Sequence, residues 1–271
     1  MRPRSGASYV RKQKTDKRDA GHILRLLIEQ RFPRIWVPSN QQRDQRQLLV
    51  HRHRLVEMRT RIKTELQHVA MNQGMQKKRS LWSVRGRADL KNLSLQGWTG
   101  RRREDLLALL TVLEKQIEEL DQAVAEAAFL DPQARLLMTQ PGVGPNTALA
   151  FVVTIGEVSR FRRSKQVASY LGLIPSEHSS GSKRRLGAIS KQGNVFLRTL
   201  LVEAAQSAVR HDADFRKEYR HRCHHKPTGV AKVAAARKLA VRLYWMLRTR
   251  TPYAQIVHNE GSPSHSVVGV S

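Results

Sequence analysis

Three short stretches bring together residue types that can act on a phosphodiester. The first is Lys14-Thr15-Asp16-Lys17-Arg18-Asp19-Ala20. On a helix, carboxylates at i and i+3 share one face, and their hard oxygens suit a divalent cation such as Mg2+. A pair of such ions activates an attacking oxygen and stabilises a leaving one. The same two acids also suit a plain first helical turn, where negative charge meets the positive end of the dipole.

The second stretch is Ser179-Ser180-Gly181 with Lys183, Arg184 and Arg185 close behind. A serine hydroxyl is a weak nucleophile until its proton is removed. Clustered guanidinium forks match phosphoryl oxygens and would stabilise a pentavalent phosphorus. The alternative is a flexible basic loop that only touches phosphate. The third stretch is Gln140-Pro141-Gly142-Val143-Gly144-Pro145-Asn146-Thr147. A glycine turn between two short helices is a helix-hairpin-helix arrangement, and Gly142 and Gly144 would let backbone N–H groups approach a DNA phosphate. A Gly-Pro turn joining two buried helices is the competing reading. Lys191 and Arg198, in and just after the turn Ile189–Asn194, complete the candidate nucleic-acid contacts. His221-Arg222-Cys223-His224-His225 lacks the second cysteine pair of a structural zinc site and reads as surface histidines beside a basic patch.

The chain as a whole carries a charge that fits such chemistry. Its 271 residues hold 49 Lys and Arg against 22 Asp and Glu, a net charge of +27, while 40% are hydrophobic, enough for a packed core. An imbalance this large opposes compaction unless a polyanion relieves it. Nucleic acid is the natural partner, since each phosphate neutralised releases a counterion. No apolar run approaches the roughly 20 residues that span a bilayer, and the basic N-terminus lacks the apolar region of a secretory signal. With Cys223 as the only cysteine, no disulfide can form within the chain, which points to the cytoplasm.

The elements that must carry these residues are helical. Thr15 can cap a first helix, with Ala20, Ile23, Leu24, Leu27 and Ile28 on one face. A second helix is predicted from Arg43 to Met71, striped by Leu48, Leu55, Ile62, Leu66 and Val69. Residues 72–100 read as a linker or loop-rich hairpin. Leu106, Leu110, Leu113, Ile117, Leu120 and Val124 then recur at spacings of 4, 3, 4, 3 and 4, a heptad seam for a coiled coil or an antiparallel helical hairpin. A short helix, 133–138, leads through the glycine turn into an apolar one, 148–155. Further helices are predicted near 161–172, over 195–210 and over 230–247, and the tail reads as disordered. The fold class is therefore mainly α.

In this order the segments resemble the IS110 transposases of prokaryotic insertion sequences, a family grouped with IS116 and IS902. The resemblance is carried by Lys14–Ala20, Pro141–Pro145, Tyr170-Leu-Gly-Leu-Ile-Pro175, His178–Gly181, Gly187–Asn194 and Ala235-Ala-Arg-Lys-Leu239. It implies a RuvC-like, RNase H-type domain with a DEDD acidic site, a coiled coil, and a C-terminal transposase domain that supplies a catalytic serine. By that resemblance Asp16 and Asp19 are the last two acids and ligands of Mg2+. Ser180 is the nucleophile, with Ser179 the second choice. DNA, an element-encoded guide RNA and further copies of the same chain are the implied partners.

The chain departs from the family pattern at its start. There, a sheet bearing the first Asp and the Glu precedes the Lys-Thr-Asp motif, whereas here thirteen residues precede Lys14. Glu29, Asp44, Glu57 and Glu65 fall on predicted helices and are poor substitutes. The expected organisation is a remnant of the RuvC-like domain over 1–75, linker and coiled coil over 76–130, the C-terminal transposase domain over 131–255, and a tail over 256–271. The expected function is DNA strand cleavage and exchange guided by RNA, with this chain inactive alone. The alternative is a non-catalytic DNA- or RNA-binding fragment that pairs with a full-length transposase and dampens it.

Overall fold

The helix predicted after Thr15 forms as α1 (Asp16–Ile28), with Asp16 and Asp19 in its first turn and Arg25 in its last. Both charges complement the helix dipole. The computed structural model describes residues 16–31, 36–76, 80–177 and 185–260. Two compact units divide at Pro38, the first holding α1 and the second everything from Ser39 onward. On α1, Ile23, Leu24, Leu27 and Ile28 are exposed.

The second unit opens with a capping box. Ser39 Oγ accepts from Gln42 N–H (3.2 Å) while Ser39 N–H donates to Gln42 Oε1 (3.0 Å), starting α2 (Asn40–Asn72). The stretch read as a linker or loop-rich hairpin holds short helices among its described residues. It contains a 3-10 turn, Ser80–Trp82, and α3 (Val84–Lys91), which Ser83 caps through Gly86 N–H. Next comes α4 (Gly97–Leu130), on which Leu110, Ile117 and Val124 are fully buried at heptad spacing. Their partner is α2 of the same chain, running antiparallel: Arg52 grips Asp121 (2.8 and 3.2 Å) and Arg102 reaches Glu65 (3.0 Å). Of the two arrangements the seam allowed, the chain adopts the helical hairpin. At its far end Leu66, Ala70, Leu81, Leu90 and Leu110 form a small second core. Glu114 braces this end, bound by Arg87 (2.7 Å to each oxygen) and by Lys63 (3.0 Å), and these cations hold its carboxyl down to about 2.

The main core is built around α6 (Pro145–Ile155), buried on all sides from Thr147 to Ile155. A helix that is apolar all round belongs at a domain centre. It packs on α2, α4, α5 (Pro132–Met138) and α8 (Val195–His211). Asp131 caps α5 at Gln133 and Ala134, with Pro132 at the helix start. After a 3-10 turn, Val158–Arg160, and α7 (Ser164–Tyr170), two short antiparallel strands form a hairpin that the sequence reading missed. These are β1 (Pro175–Glu177) and β2 (Leu186–Ile189), pairing Pro175 with Ile189 and Glu177 with Leu186. The bundle closes with α9 (Ala213–His225), α10 (Thr228–Thr249) and α11 (Tyr253–Glu260). The last of these carries helix into 256–260, a stretch read as tail. Among the described residues no helix is long and apolar enough to cross a membrane.

Candidate functional site

The glycine turn sits where α5 hands over to α6, and its two glycines do different work. Gly142 has φ +87, and a Cβ there would overlap the backbone of α8 at Ala204 and Ala208. Its missing side chain serves close packing of the turn on α8. Gly144 is exposed, with nothing within 4 Å of an added Cβ, and it begins α6 as N-cap without a side-chain cap. From that point the first turn of α6, with Pro145 at N1, has no side-chain cap for its N–H groups.

A buried polar cluster braces the turn from behind. Gln140, fully buried, lies 3.5 Å from Arg242 Nη1, which also pairs with Asp212 Oδ2 (3.2 Å). Tyr253 donates its hydroxyl to the same carboxylate (2.6 Å), and Phe215 N–H donates to Asp212 Oδ1 (3.0 Å). Burial pushes the Asp212 carboxyl up. The hydrogen bonds from Phe215 and Tyr253, with the charge and bond of Arg242, outweigh that and leave it below its ordinary value. Burial and the adjoining Asp212 carboxylate push the Tyr253 phenol up to about 12. Tyr253 N–H also donates to Thr139 Oγ1 (3.0 Å), so α11 holds the entry to the turn directly.

The second turn, Ser190–Asn194, is locked onto the end of α7 by a reciprocal close approach. A Cβ on Gly172 (φ +65) would overlap Gln192 backbone, and one on Gly193 (φ +82) would overlap the Tyr170 carbonyl. Ser190 N–H donates to Ile174 O (2.8 Å) and Lys191 N–H to Gly172 O (3.3 Å). Asn194 then caps α8 by accepting from Leu197 N–H (3.1 Å). Lys191 adopts φ +55 and is exposed.

Arg198 is placed otherwise than expected. It is 8% exposed, and Nη1 donates to Leu171 O (3.1 Å) and Gln192 O (2.7 Å), clamping the turn to α7. A guanidinium committed to buried carbonyls is a brace, and Arg198 leaves the set of phosphate contacts. Both turns lean on α8, one at its start and one at Ala204 to Ala208. At 1.5 Å per residue they stand about 15–20 Å apart along that helix.

The remaining expected residues divide between described and undescribed segments. Asp16 and Asp19 are exposed, one turn apart on α1. Arg185 is exposed at the start of the second hairpin strand. Ser179, Ser180, Lys183 and Arg184 lie outside the described residues, in the segment that joins β1 to β2. Among the described residues no group of three or more His, Cys, Asp and Glu is arranged to hold a metal. His221 and His225 pack edge to face on the last turn of α9, 4.9 Å between ring centres.

Comparison with known proteins places these elements in one family. Residues 1–73 match a DEDD-type transposase domain, which takes in α1 with its two aspartates. Residues 134–220 match the domain described as "Transposase IS116/IS110/IS902 family", which takes in both turns and the β-hairpin. The chain is 32% identical over 213 residues to the transposase for insertion sequence element IS1111A of Coxiella burnetii, covering 77% of this chain and 58% of that one. It is 30% identical over 256 residues to a probable family 20 transposase of Pseudomonas aeruginosa, covering 89% of this chain and 74% of that one. A pilin gene-inverting protein of Moraxella bovis is 27% identical over 248 residues, covering 90% of this chain and 69% of that one. The chain thus spans little more than half the length of the Coxiella relative and about three quarters of the Pseudomonas one. The helix bearing Asp16 and Asp19 and the turn-braced hairpin each fall within a matched transposase domain, and the chain belongs to the IS116/IS110/IS902 family of insertion-sequence transposases.

Proposed function

We propose that the chain works on DNA strands in transposition or recombination, with Ser180 as nucleophile on the β1–β2 connection. The observation that carries this reading is the lock between Gly172 and Gly193, which fixes the base of the hairpin on α7 and α8. A serine presented beyond a rigid base attacks with less loss of orientational freedom than one on a free loop. In the step, Ser180 Oγ gives up its proton, forms a P–O bond to the scissile phosphate, and displaces one bridging oxygen, which takes up a proton as a hydroxyl. The phosphoseryl bond conserves the energy for rejoining when a DNA hydroxyl displaces serine. Lys183, Arg184 and Arg185 compensate the charge that develops on the phosphoryl oxygens. Gly144 and Lys191 hold flanking phosphates and set register without reading sequence.

Asp16 and Asp19 supply two hard oxygen donors suited to Mg2+ within a larger acidic set. When bound, such an ion activates an oxygen nucleophile and steadies a leaving oxygen. An RNA guide, a homo-oligomer and a cytoplasmic setting complete the proposal, and the names of the relatives, transposase and gene-inverting protein, support its DNA-rearranging part.

The test is to trap a covalent protein–DNA adduct on denaturing gels, using the chain alone and mixed with a full-length member of the family. The expected result is an adduct of this chain in the mixture that is lost with Ser180→Ala, kept with Ser179→Ala, and accompanied by unchanged duplex binding. An adduct that survives Ser180→Ala removes the nucleophile assignment. Binding without any adduct in either setting would favour the non-catalytic fragment that pairs with a full-length transposase.

A further inference from the structure

A cleft of about 740 Å3 lies along α10, lined also by Arg222 of α9 and by Thr251 and Ile256 beyond α10. Arg237, Val241 and Trp245 line it at i, i+4 and i+8, a single stripe of α10. Trp245 is 43% exposed, although Tyr244 and Met246 on either side are fully buried. Its ring is steadied edge to face by Tyr244, 5.3 Å between centres. The cations around it outnumber the anions. Glu218 is shared by Arg222 (3.5 Å) and Lys238, while Arg237 has no carboxylate partner among the described residues. Arg242 reaches the cleft from below, where its charge is matched by Asp212.

An exposed indole in a positive cleft, with a volume inside the roughly 300–1,000 Å3 range of small-molecule sites, has a specific use. We propose that this cleft takes an unpaired nucleotide of a single-stranded nucleic acid, its base stacked on Trp245 and its phosphate on Arg237. Every base has a π face, so an aromatic platform beside cations holds single strands without reading sequence. A duplex keeps its bases stacked inside and could offer the cleft only phosphate. An acidic peptide would satisfy the cations and leave the ring unused. The inference rests on the nucleic-acid reading above and adds to it a single-strand site distinct from the phosphate-contacting turns.

The experiment measures binding of the full chain to labelled oligo-dT and oligo-U of about a dozen nucleotides, and to a duplex of the same length, by fluorescence anisotropy across a salt series. Trp245→Ala should weaken single-strand binding by about 5- to 150-fold and leave duplex binding within about twofold. Trp245→Phe, which keeps a stacking face and the fold, should retain most of the affinity. Arg237→Gln should lower the slope of log K against log salt by about 0.7. The two single-stranded probes separate RNA from DNA as the source of the nucleotide. Single-strand affinity unchanged in Trp245→Ala overturns the proposal, as does an equal fall for duplex and single strand, or polyglutamate competing as well as oligo-dT. If the wild-type chain binds duplex but shows no dependence on Trp245, only this inference fails. If it binds no nucleic acid at all, the reading beneath it fails too.

Discussion

Arg242 and Asp212 form an ion pair in which both side chains are only 3% exposed, 3.2 Å apart, where α8, α9 and α10 meet. The pair stands behind the glycine turn through Gln140 and under α11 through Tyr253, so one carboxylate fixes two approaches to the proposed DNA face. Removing one partner strands a buried charge. Arg242→Ala should cost about 3–5 kcal/mol, while replacing both partners by apolar residues of like size should cost much less. Urea unfolding of the single and paired variants checks this, and similar losses for both would remove the argument.

The same pair sets a pH dependence whose sign follows from the direction of each shift. Asp212 is depressed in the folded chain, so its contribution is present above the ordinary carboxylate value near 3.8 and is lost as pH falls through the folded value. Asp212→Asn keeps an acceptor for the α9 cap and removes the charge, and should flatten the acid limb of the stability curve. Tyr253 is raised from 10.0 to about 12, so its contribution is complete below pH 10 and lost as pH rises through 12. Tyr253→Phe should flatten that alkaline limb. Melting temperatures measured against pH distinguish these variants from ones that merely lower stability everywhere.

The heptad seam of α4 gives a prediction about assembly. Leu110, Ile117 and Val124 are already spent on α2, whereas Leu109 and Val112 on the outer face are exposed. Ile117→Ala should cost about 2–5 kcal/mol as a core truncation, and Leu109→Ala less than about 0.5 kcal/mol. Sedimentation should show that Ile117→Ala does not change the oligomeric state of the folded chain. If that variant dissociates an oligomer before it unfolds, the seam joins copies and the hairpin reading is wrong.

Periodicity carried much of this fold. The spacing of Leu110, Ile117 and Val124 foretold a paired helix, and the helix predicted over 195–210 is present as α8, because each helix buries a face whose repeat is written locally. What periodicity could not show was the partner, since a heptad seam looks the same whether it meets α2 or another copy. The β-hairpin was hidden for a different reason. Strands of three and four residues are too short for an alternating pattern to emerge, and the close approaches that fix the adjoining turn are made by Gly172 and Gly193. Arg198 misled because a cation's type says nothing of its burial; the carbonyls of Leu171 at the end of α7 and Gln192 in the turn claimed it. Arg237, Val241 and Trp245 share plain helical spacing on α10, but residue type and spacing do not reveal exposure, which separates Trp245 from Tyr244.

The lock beneath the hairpin should be intolerant of any side chain. Gly172→Ala combines a left-handed φ of +65 with overlap on Gln192 backbone, so it should cost at least about 2 kcal/mol. Lys191, already at φ +55 as a non-glycine residue, offers the opposite case. Lys191→Gly should hold or raise stability by about 0.5–1 kcal/mol while lowering the salt slope of duplex binding by about 0.9. Thermal melts and salt-dependent binding on the same preparations check both. A Lys191→Gly variant with unchanged salt slope would take Lys191 out of the interface.

Gly144 allows the sharpest separation of fold from function, because stability and DNA binding should move in opposite directions. The residue is exposed, its φ of −94 suits any amino acid, and nothing lies within 4 Å of an added Cβ. It occupies the N-cap of α6 without providing a cap, and aspartate is among the strongest N-cap residues. Gly144→Asp should therefore raise stability by a few tenths of a kcal/mol. The new carboxylate would sit at the positive helix end where a phosphate is proposed to bind, so duplex affinity should fall about tenfold or more, as like charge opposes the anion site. Gly144→Ala, which adds neither charge nor cap, should leave duplex affinity nearly unchanged. A Gly144→Asp protein that is more stable and binds duplex as before would show that the start of α6 is a structural turn, and would leave Lys191 and the hairpin residues to account for DNA contact.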